Sequence, residues 1–266
     1  MRSKKWLALG AATMLSLASV ASADTVLNFT TVSPNSGDIG VGKFTTTDYQ
    51  ATGSGVINSF VRISKANAEE VQGYNTDARP LQFDENNSPT FTHALHKADL
   101  QSVTIGTTSY YQFLLDINQL NSGVPERLLS LNELQIFVGN AGNLSPSTFS
   151  GGLLNFGGNA TLVYDMDAQG GGDGSRIDLN YDFNKGSGSG DMTAYIPTSL
   201  FAGPNNWVYL YSKFGAEPYA NNDGFEEWAA IIGPNSVVPV PLAAWGGMAL
   251  CGFLGASKLR RRQQVD

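Results

Sequence analysis

The stretch Ser175–Asn184, SRIDLNYDFN, decides the fold class of this chain. Its apolar side chains recur at every second residue, and polar side chains occupy the positions between them. A period of two is typical of a β-strand with one face in a core and the other towards solvent. The apolar set is Ile177, Leu179, Tyr181 and Phe183, and the polar set is Asp178, Asn180, Asp182 and Asn184.

The same period recurs along the chain, and clusters of Gly, Asn, Pro and Ser separate the repeats. Trp207–Tyr211 is apolar on both faces, which predicts a central strand. We therefore expect an all-β fold, a two-sheet antiparallel β-sandwich of the jelly-roll kind. The other predicted strands are Asp24–Thr31, Val56–Ser64, Tyr110–Asn118, Glu133–Val138 and Ala160–Tyr164.

The charge of the central segment limits its partners. Between Asp24 and Val238 there are 9 Lys and Arg against 22 Asp and Glu, a net charge of −13. Such a surface repels phosphate, which argues against nucleic acid as a partner, and it favours divalent cations. Because Cys251 is the only cysteine, an intrachain disulfide is excluded, and we expect core burial to hold the domain together.

Residues 1–23 have the three parts of a secretion signal. Arg2, Lys4 and Lys5 form the basic start, and Trp6 to Val20 form the apolar stretch. Ala21 and Ala23 supply the small residues of a cleavage site. The alternative is an uncleaved membrane anchor, for which the apolar run is short.

The other end is apolar over about 20 positions, from Val237 to Ala256, which is enough for one membrane-spanning helix. Lys258 and the cluster Arg260, Arg261 and Arg262 follow at once. Basic residues stay on the cytoplasmic side, so the acidic segment is expected outside. The predicted division is 1–23 signal peptide, 24–232 β-sandwich, 233–238 junction and 239–266 tail with a hydrophobic transmembrane helix.

The tail combines a proline motif (Val238, Pro239, Val240 and Pro241), a glycine-punctuated apolar helix and a terminal Arg cluster. In this order they resemble the PEP-CTERM sorting signal of exosortase substrates, in its VPxP variant. Val240 departs from the pattern, which has glutamate there. The resemblance implies that secretion machinery and an exosortase act on the chain, that the tail lies transiently in the inner membrane, and that the domain then reaches the cell surface or the matrix. A plain C-terminal anchor is the alternative.

The central segment also resembles a group of exported bacterial PEP-CTERM proteins. This resemblance implies export and a β-rich domain, and it supplies no activity or binding residue. The stretches that carry it are QFLLDINQ (Gln112–Gln119), LSLNELQIFVG (Leu129–Gly139), GSGSGDMTAYIP (Gly186–Pro197) and NNDGFEEWA (Asn221–Ala229).

Asp165, Asp167 and Asp173 stand in a glycine-rich loop, DMDAQGGGDG, and predict a calcium site. Calcium takes six to eight oxygen ligands, which carboxylates on a flexible loop can supply. Asp165 and Asp167 lie two apart at a strand end, so both side chains can project to one side. The alternative is an acidic, solvated β-turn.

A second acidic group is Asp223, Glu226 and Glu227. Asp223 with either glutamate could form the carboxylate pair of a glycosidase. Glu226 and Glu227 are adjacent, so in a strand they point to opposite faces. The alternative is a surface loop followed by a strand that Phe225 and Trp228 anchor.

Two further sets of side chains remain open. His93 and His96 could bind a transition metal from one helical face, but as strand residues they would diverge, and ordinary exposed histidines are the alternative. Six aromatic residues could build a platform for sugars or could pack in the core. These are Tyr110, Tyr111, Trp207, Tyr209, Tyr211 and Tyr219.

The sequence thus predicts a non-catalytic exported protein of the cell envelope or extracellular matrix, with exopolysaccharide as a possible partner. One alternative is a calcium-dependent carbohydrate-binding module of the same fold. A further alternative is a secreted polysaccharide hydrolase.

Overall fold

A computed structural model of the chain describes residues 24–50, 59–167, 174–186 and 188–230, without the side chains of 47–50 and 189. Several predictions fall on residues outside these ranges. They are the signal peptide 1–23 with Ala21 and Ala23, the third calcium ligand Asp173, the junction 233–238, and the tail 239–266 with the motif Val238–Pro241 (whose first residue ends the junction) and Arg260–Arg262.

The prediction of an all-β fold is confirmed, since 48% of the described residues are in strands and 4% are in helices. Two short 3₁₀ turns, Lys97–Asp99 and Thr198–Phe201, interrupt the strands. The strands are β1 Val26–Asn28, β2 Ser36–Ile39, β3 Gly42–Gln50, β4 Ser59–Ile63, β5 Glu70–Tyr74, β6 Leu95–His96, β7 Ser102–Ile105, β8 Thr108–Asp116, β9 Leu128–Gly139, β10 Thr148–Ser150, β11 Leu153–Asn155, β12 Ala160–Asp165, β13 Arg176–Asn180, β14 Ser189–Pro197, β15 Trp207–Gly215 and β16 Glu226–Ala230.

Fourteen of these strands form two sheets of seven. Sheet A runs in the order β1-β13-β9-β15-β5, with β12 beside β9 and β6 beside β15. Sheet B runs in the order β2-β3-β14-β8-β16-β4, with β7 beside β8. The pairs are antiparallel apart from β1 with β13, which run parallel. Two large antiparallel sheets of this kind are consistent with a β-sandwich.

The chain crosses repeatedly between the sheets. β4 in sheet B leads to β5 in sheet A, and β8 in sheet B leads through a loop to β9 in sheet A. β14, β15 and β16 then lie in sheets B, A and B in turn. Many strands that are neighbours in one sheet are therefore distant in sequence, such as β9 and β15 or β8 and β16, so residues far apart in the chain can meet at a sheet end.

One apolar cluster joins the facing sides of the two sheets. Leu134 and Ile136 of β9 and Phe214 of β15 contribute from sheet A, and Phe113 and Leu115 of β8 contribute from sheet B, all without exposed surface. This cluster forms the main core between the sheets, and it is the largest apolar cluster among the described residues.

Trp228 makes a polar link through this core. It lies on β16 of sheet B and is fully buried. Its indole N–H donates to Ser212 Oγ on β15 of sheet A at 3.0 Å. A buried indole N–H needs such a partner, so the bond fixes how the two sheets lie over each other at this point.

The polar face of the stretch that decided the fold class is not solvated as predicted. Its strand ends at Asn180, and Asp178 and Asn180 are only 3% and 9% exposed. Ser130 donates to Asp178 at 2.9 Å, and Asn180 donates to the carbonyl of Thr30 at 2.8 Å. Local hydrogen bonds thus replace the water that the alternation suggested.

No helix in the described part of the chain has the length and apolar character needed to cross a membrane.

Replacement of Trp228 by Phe tests the link between the sheets. The Trp228→Phe variant leaves Ser212 without its partner and a gap beside it, so it should lower the free energy of unfolding by about 1–3 kcal/mol in urea titrations. A double-mutant cycle with Ser212→Ala should give a coupling energy of about 1 kcal/mol. Strictly additive effects would show that the bond contributes nothing.

Candidate functional site

A groove of about 480 Å³ lies on the face of sheet A that points away from the core. We call it the sheet A groove. Strands β9 and β15 supply part of it, and the β10–β11 hairpin and the segments around Ser175 and Ala216 complete it. Side chains of both charge signs and an aromatic ring line it, among them Glu70, Glu133, Asp167, Arg176, Lys213 and Phe149.

The groove exists because the β10–β11 hairpin covers part of this face. Beneath the hairpin, a second apolar cluster includes Tyr209, Tyr211 and Phe137 of sheet A and Leu154 of the hairpin. The side chain of Gln135 clamps the hairpin to β9: its Nε2 donates to the carbonyl of Gly152 at 2.7 Å, and its Oε1 accepts from the N–H of Leu154 at 3.2 Å.

Phe149 is the exposed aromatic of the groove. It lies on β10, its ring is 5.8 Å from that of Tyr211, and 42% of its surface is exposed. It is not one of the six aromatics that the sequence suggested as a sugar platform. None of those six is exposed. Four of them pack in or against the apolar clusters, namely Tyr111, Trp207, Tyr209 and Tyr211.

Glu133 is the carboxyl group most strongly affected by this environment. It is 7% exposed, and its Oε1 has no hydrogen-bond partner. Burial, together with the negative charges of Asp167 and Asp165, raises its pKa to about 8. This environment disfavours the ionised form of Glu133, and a bound cation would favour it.

Asp165 and Asp167, two of the predicted calcium ligands, do approach one another and Glu133. Asp165 Oδ1 accepts from the N–H of Asp167 at 2.9 Å, and Asp167 Oδ1 accepts from the N–H of Ser175 at 2.9 Å. Both carboxylates thus order the two ends of the glycine-rich loop. Within the described residues, no group of three or more His, Cys, Asp or Glu side chains is placed to hold a metal ion.

Sequence reasoning missed Glu133 because it belongs to a different strand. β12 pairs with β9, and Asp165 lies opposite Gln135, two residues from Glu133. The signal was present in the LSLNELQIFVG stretch, where Glu133 is the one charged residue. A charged residue in such a run needs a reason, but only the register of β9 with β12 shows what it faces.

Cations on both sides keep the sheet A groove from being uniformly acidic. Lys213 Nζ lies 3.0 Å from Glu70 Oε2, and Arg176 Nε lies 3.2 Å from Asp178 Oδ1. The two cations remain about one-third exposed, so they can also meet a ligand.

The predicted acidic group at Asp223, Glu226 and Glu227 is not gathered in one cleft. Asp223 is exposed, whereas Glu226 and Glu227 are 0% and 1% exposed. Glu227 forms an ion pair with Arg62 of β4, whose guanidinium lies over the ring of Phe225 at 4.1 Å. The arrangement matches the interpretation as a surface loop followed by a strand that Phe225 and Trp228 anchor.

Glu226 instead joins two carboxylates that sequence reasoning did not single out. Asp116 at the end of β8 and Asp191 at a bulge in β14 are 2% and 5% exposed. We call Asp116, Asp191 and Glu226 the buried acid cluster. Burial raises the pKa of Asp116 to about 7, and the charge of Glu227 adds to the effect. Burial also raises the pKa values of Asp191 and Glu226 well above their usual range, and the charge of Asp116 adds to both.

The two histidines do not share a helical face, so the geometry that the transition-metal alternative needs is not formed. His93 lies in a loop, and burial lowers its pKa. His96 belongs to β6, where its ring meets Trp207 edge-on at 5.1 Å and its Nδ1 accepts from the N–H of Ala98. Both side chains are half-buried rather than exposed.

Comparison of the chain with protein-family models, with curated proteins and with solved structures found no match. Function must therefore be argued from the geometry of the two sites.

Loss of the Gln135 clamp should loosen the hairpin that shapes the groove. The Gln135→Met variant keeps the length of the side chain but removes both hydrogen bonds, at a cost of about 1–3 kcal/mol in stability. Hydrogen exchange should speed up in residues 148–156 more than elsewhere. The same change at half-buried Gln112 of sheet B is the control, and equal protection of the hairpin in both variants would contradict the clamp.

Proposed function

We propose that this chain is a non-catalytic exported protein of the cell envelope or extracellular matrix, and that it binds polysaccharide in the sheet A groove. The observation that carries the binding part is the groove itself, about 480 Å³ in volume and lined by carboxylates, cations and an exposed aromatic ring. A ligand site is typically such a concavity, with a few polar groups that fix orientation.

The strand order supports the proposal at the level of the fold. β5-β15-β9-β13 and β14-β8-β16-β4 are the four-stranded cores of the two sheets. The chain visits them in the order of an eight-stranded jelly roll, and we assign the domain to that architecture. Lectin domains use this fold, but the fold does not by itself specify a function.

The chemistry of the groove fits a carbohydrate better than an extended apolar ligand. Sugar rings have an apolar face that stacks on aromatic side chains, and Phe149 offers one that is 42% exposed. Carboxylates such as Glu70 and amides such as Asn132 can hydrogen-bond hydroxyl groups. Lys213 and Arg176 can pair with acidic sugars.

Calcium dependence is a second candidate property, favoured by Glu133. Asp165 and Asp167 come from one strand end, and Glu133 adds a buried carboxyl with an orphaned oxygen. Carboxylate oxygens such as these are ligands of the type that calcium prefers. Asp173 stays a proposed further ligand.

A polysaccharide hydrolase is less well supported. Its named residues divide between the surface and the interior, because Asp223 is exposed and Glu226 is fully buried. Two carboxyl groups that act on a glycosidic bond must face it from opposite sides of one cleft.

Export rests on the two ends of the sequence. The basic–apolar–Ala-x-Ala order at residues 1–23 is that of a secretion signal. The resemblance of the tail to a PEP-CTERM signal makes an exosortase the proposed processing partner. The tail would anchor the chain in the inner membrane before processing, and the domain would then lie on or outside the cell.

Polysaccharide binding should depend on Phe149. The Phe149→Ala variant removes the exposed ring and should weaken binding to responsive exopolysaccharides about tenfold, as measured on a glycan array and then by titration. Phe183→Ala is the matched control, since Phe183 is 37% exposed but does not line the groove.

The same titrations with a chelator test the calcium arm. If calcium takes part, EGTA should weaken binding in the wild type but not in the Glu133→Gln variant. Replacement of Glu217 at the groove rim by Gln should preserve the calcium response. Absence of glycan binding with and without calcium would overturn the proposed ligand, and binding unaffected by Phe149→Ala would overturn the proposed site.

Mass spectrometry of the protein from its native host tests export and sorting. The mature chain should begin at Asp24 and should end near Pro239–Pro241, because cleavage at both signals removes the residues beyond them. An intact C terminus on a membrane-bound protein would replace sorting by simple anchoring.

A further inference from the structure

The buried acid cluster fastens three segments of the chain at one end of sheet B. Asp191 Oδ2 accepts from the N–H of Ile117 at 2.8 Å, and Glu226 Oε2 accepts from the N–H of Asn118 at 3.1 Å. Asp116 Oδ2 accepts from the N–H of Gly188 at 2.7 Å. Where β8 ends and β14 begins, these backbone N–H groups have no carbonyl partner in a neighbouring strand. The carboxyl groups serve as their hydrogen-bond acceptors instead.

Glu226 extends this fastening to the loop before β16. Its Oε1 accepts from Gln119 Nε2 at 2.7 Å, and Gln119 also donates to Asn221 Oδ1 at 3.2 Å. Gln119 Oε1 in turn accepts from the N–H of Asn222 at 3.1 Å. The loop 117–120 and the loop 221–226 are therefore held together through the cluster.

Two oxygens of the cluster have no donor. Asp116 Oδ1 and Asp191 Oδ1 are buried and without a hydrogen-bond partner, in side chains that are 2% and 5% exposed. An ionised carboxylate is only an acceptor, whereas a protonated one also carries a donor. A proton on either group removes the charge from a buried carboxyl group whose oxygen has no donor.

The charges around the cluster do not balance it. Among the described groups that act on it electrostatically, Glu227 of β16 is a fourth acid, and Arg62 of β4 is the one cation. Arg62 is already paired with Glu227. Three buried carboxylates without a cation of their own would repel one another strongly in this low-dielectric environment.

We propose that Asp116, Asp191 and Glu226 share protons and act as a proton-dependent latch, which holds the loops 117–120 and 221–226 when protonated and releases them as the protons leave. The three groups bind protons more tightly in the folded chain than in the unfolded chain, because they separate and become solvated on unfolding. A group that binds protons more tightly in the folded state than in the unfolded state stabilises the folded state at low pH. This stabilisation is lost as pH rises through the pKa of the folded state.

The pH window follows from Asp116, whose pKa rises from 3.8 to about 7 in the folded chain. Stability from the latch should be complete below about pH 4 and should fall as pH rises to 7 and beyond. Asp191 and Glu226, whose pKa values also rise, extend the loss in the same direction.

The test is the melting temperature of the full mature chain between pH 5 and pH 8.5, for the wild type and for Asp191→Asn. In the variant, the amide oxygen can still accept from Ile117, and the NH₂ group takes the place of the orphaned oxygen as a neutral donor. We expect the wild type to lose about 5 °C or more over this range and Asp191→Asn to lose clearly less, so that the variant is the more stable at pH 8.5. Asp116→Asn, built on the same logic, should behave alike.

Two controls separate the latch from a general effect of charge. Asp182→Asn changes a half-buried aspartate outside the cluster that pairs with Arg127, and it should leave the pH dependence between pH 5 and pH 8.5 as in the wild type. Glu227→Gln deprives Arg62 of its partner, so it should lower the melting temperature at pH 5 as well as at pH 8.5. Hydrogen exchange of the wild type, corrected for the intrinsic pH effect, should show residues 117–120 and 221–226 opening first as pH rises.

Three results would overturn the proposal. The first is a wild-type melting temperature that does not fall between pH 5 and pH 8.5. The second is an Asp191→Asn variant with the full wild-type pH dependence. The third concerns the Glu133→Gln variant, which lacks the groove carboxyl group. In this result EDTA lowers the melting temperature of Glu133→Gln at pH 8.5 but leaves that of the double variant Glu133→Gln/Asp191→Asn unchanged. That last outcome would make the cluster a site for a divalent cation.

Discussion

Burial of both faces of β9 is the constraint on which the rest of the structure depends. This strand pairs with β15 along one edge and with β13 and β12 along the other. Its core-facing side chains, such as Leu134 and Ile136, have no exposed surface, and its opposite face is also covered. Every polar side chain on that second face therefore needs a partner within the protein.

The polar side chains of this face meet that need to different degrees. Ser130 is hydrogen-bonded to Asp178, and Gln135 is hydrogen-bonded to the β10–β11 hairpin, whereas Oε1 of Glu133 has no hydrogen-bond partner. The sheet A groove lies where this requirement is not fully met, which is why we place the ligand there.

The sequence predicted the class of fold and the presence of the main strands well, because alternation is a local property. Trp207–Tyr211 was expected to be central and does lie between β9 and the pair β5 and β6. The limits of the reasoning appear at Asp178 and Asn180, whose alternation with apolar residues suggested solvent. Alternation shows that two faces differ, but it does not show that the polar face is wet. The covering of that face comes from other segments, namely Thr30 and Ser130.

The candidate sites were less predictable for the same reason. Asp165 and Asp167 could be found because two carboxylates at a strand end are visible in one short segment. Glu133 could not be joined to them without the register of β12 with β9. Asp116, Asp191 and Glu226 belong to three different strands of sheet B, and β8 lies between the other two. Crossing of the chain between the sheets brings them together, and such a crossing leaves no trace in local periodicity.

The two acidic sites differ in their accessibility to water and ligands, and this difference argues for different roles. Glu133 lines an open groove on sheet A, where a cation or a sugar from solvent can relieve its unpaired charge. The buried acid cluster lies at the end of sheet B among backbone N–H groups that it caps, so the proton is the ligand that needs the least space. Replacement of such carboxyl groups by apolar side chains would leave those N–H groups without acceptors. The acidic residues thus supply the acceptors that these N–H groups need. The repulsion between their charges destabilises the fold more as pH rises. Because the net stability of a domain is small, a cost of this kind should link the stability of this chain to pH.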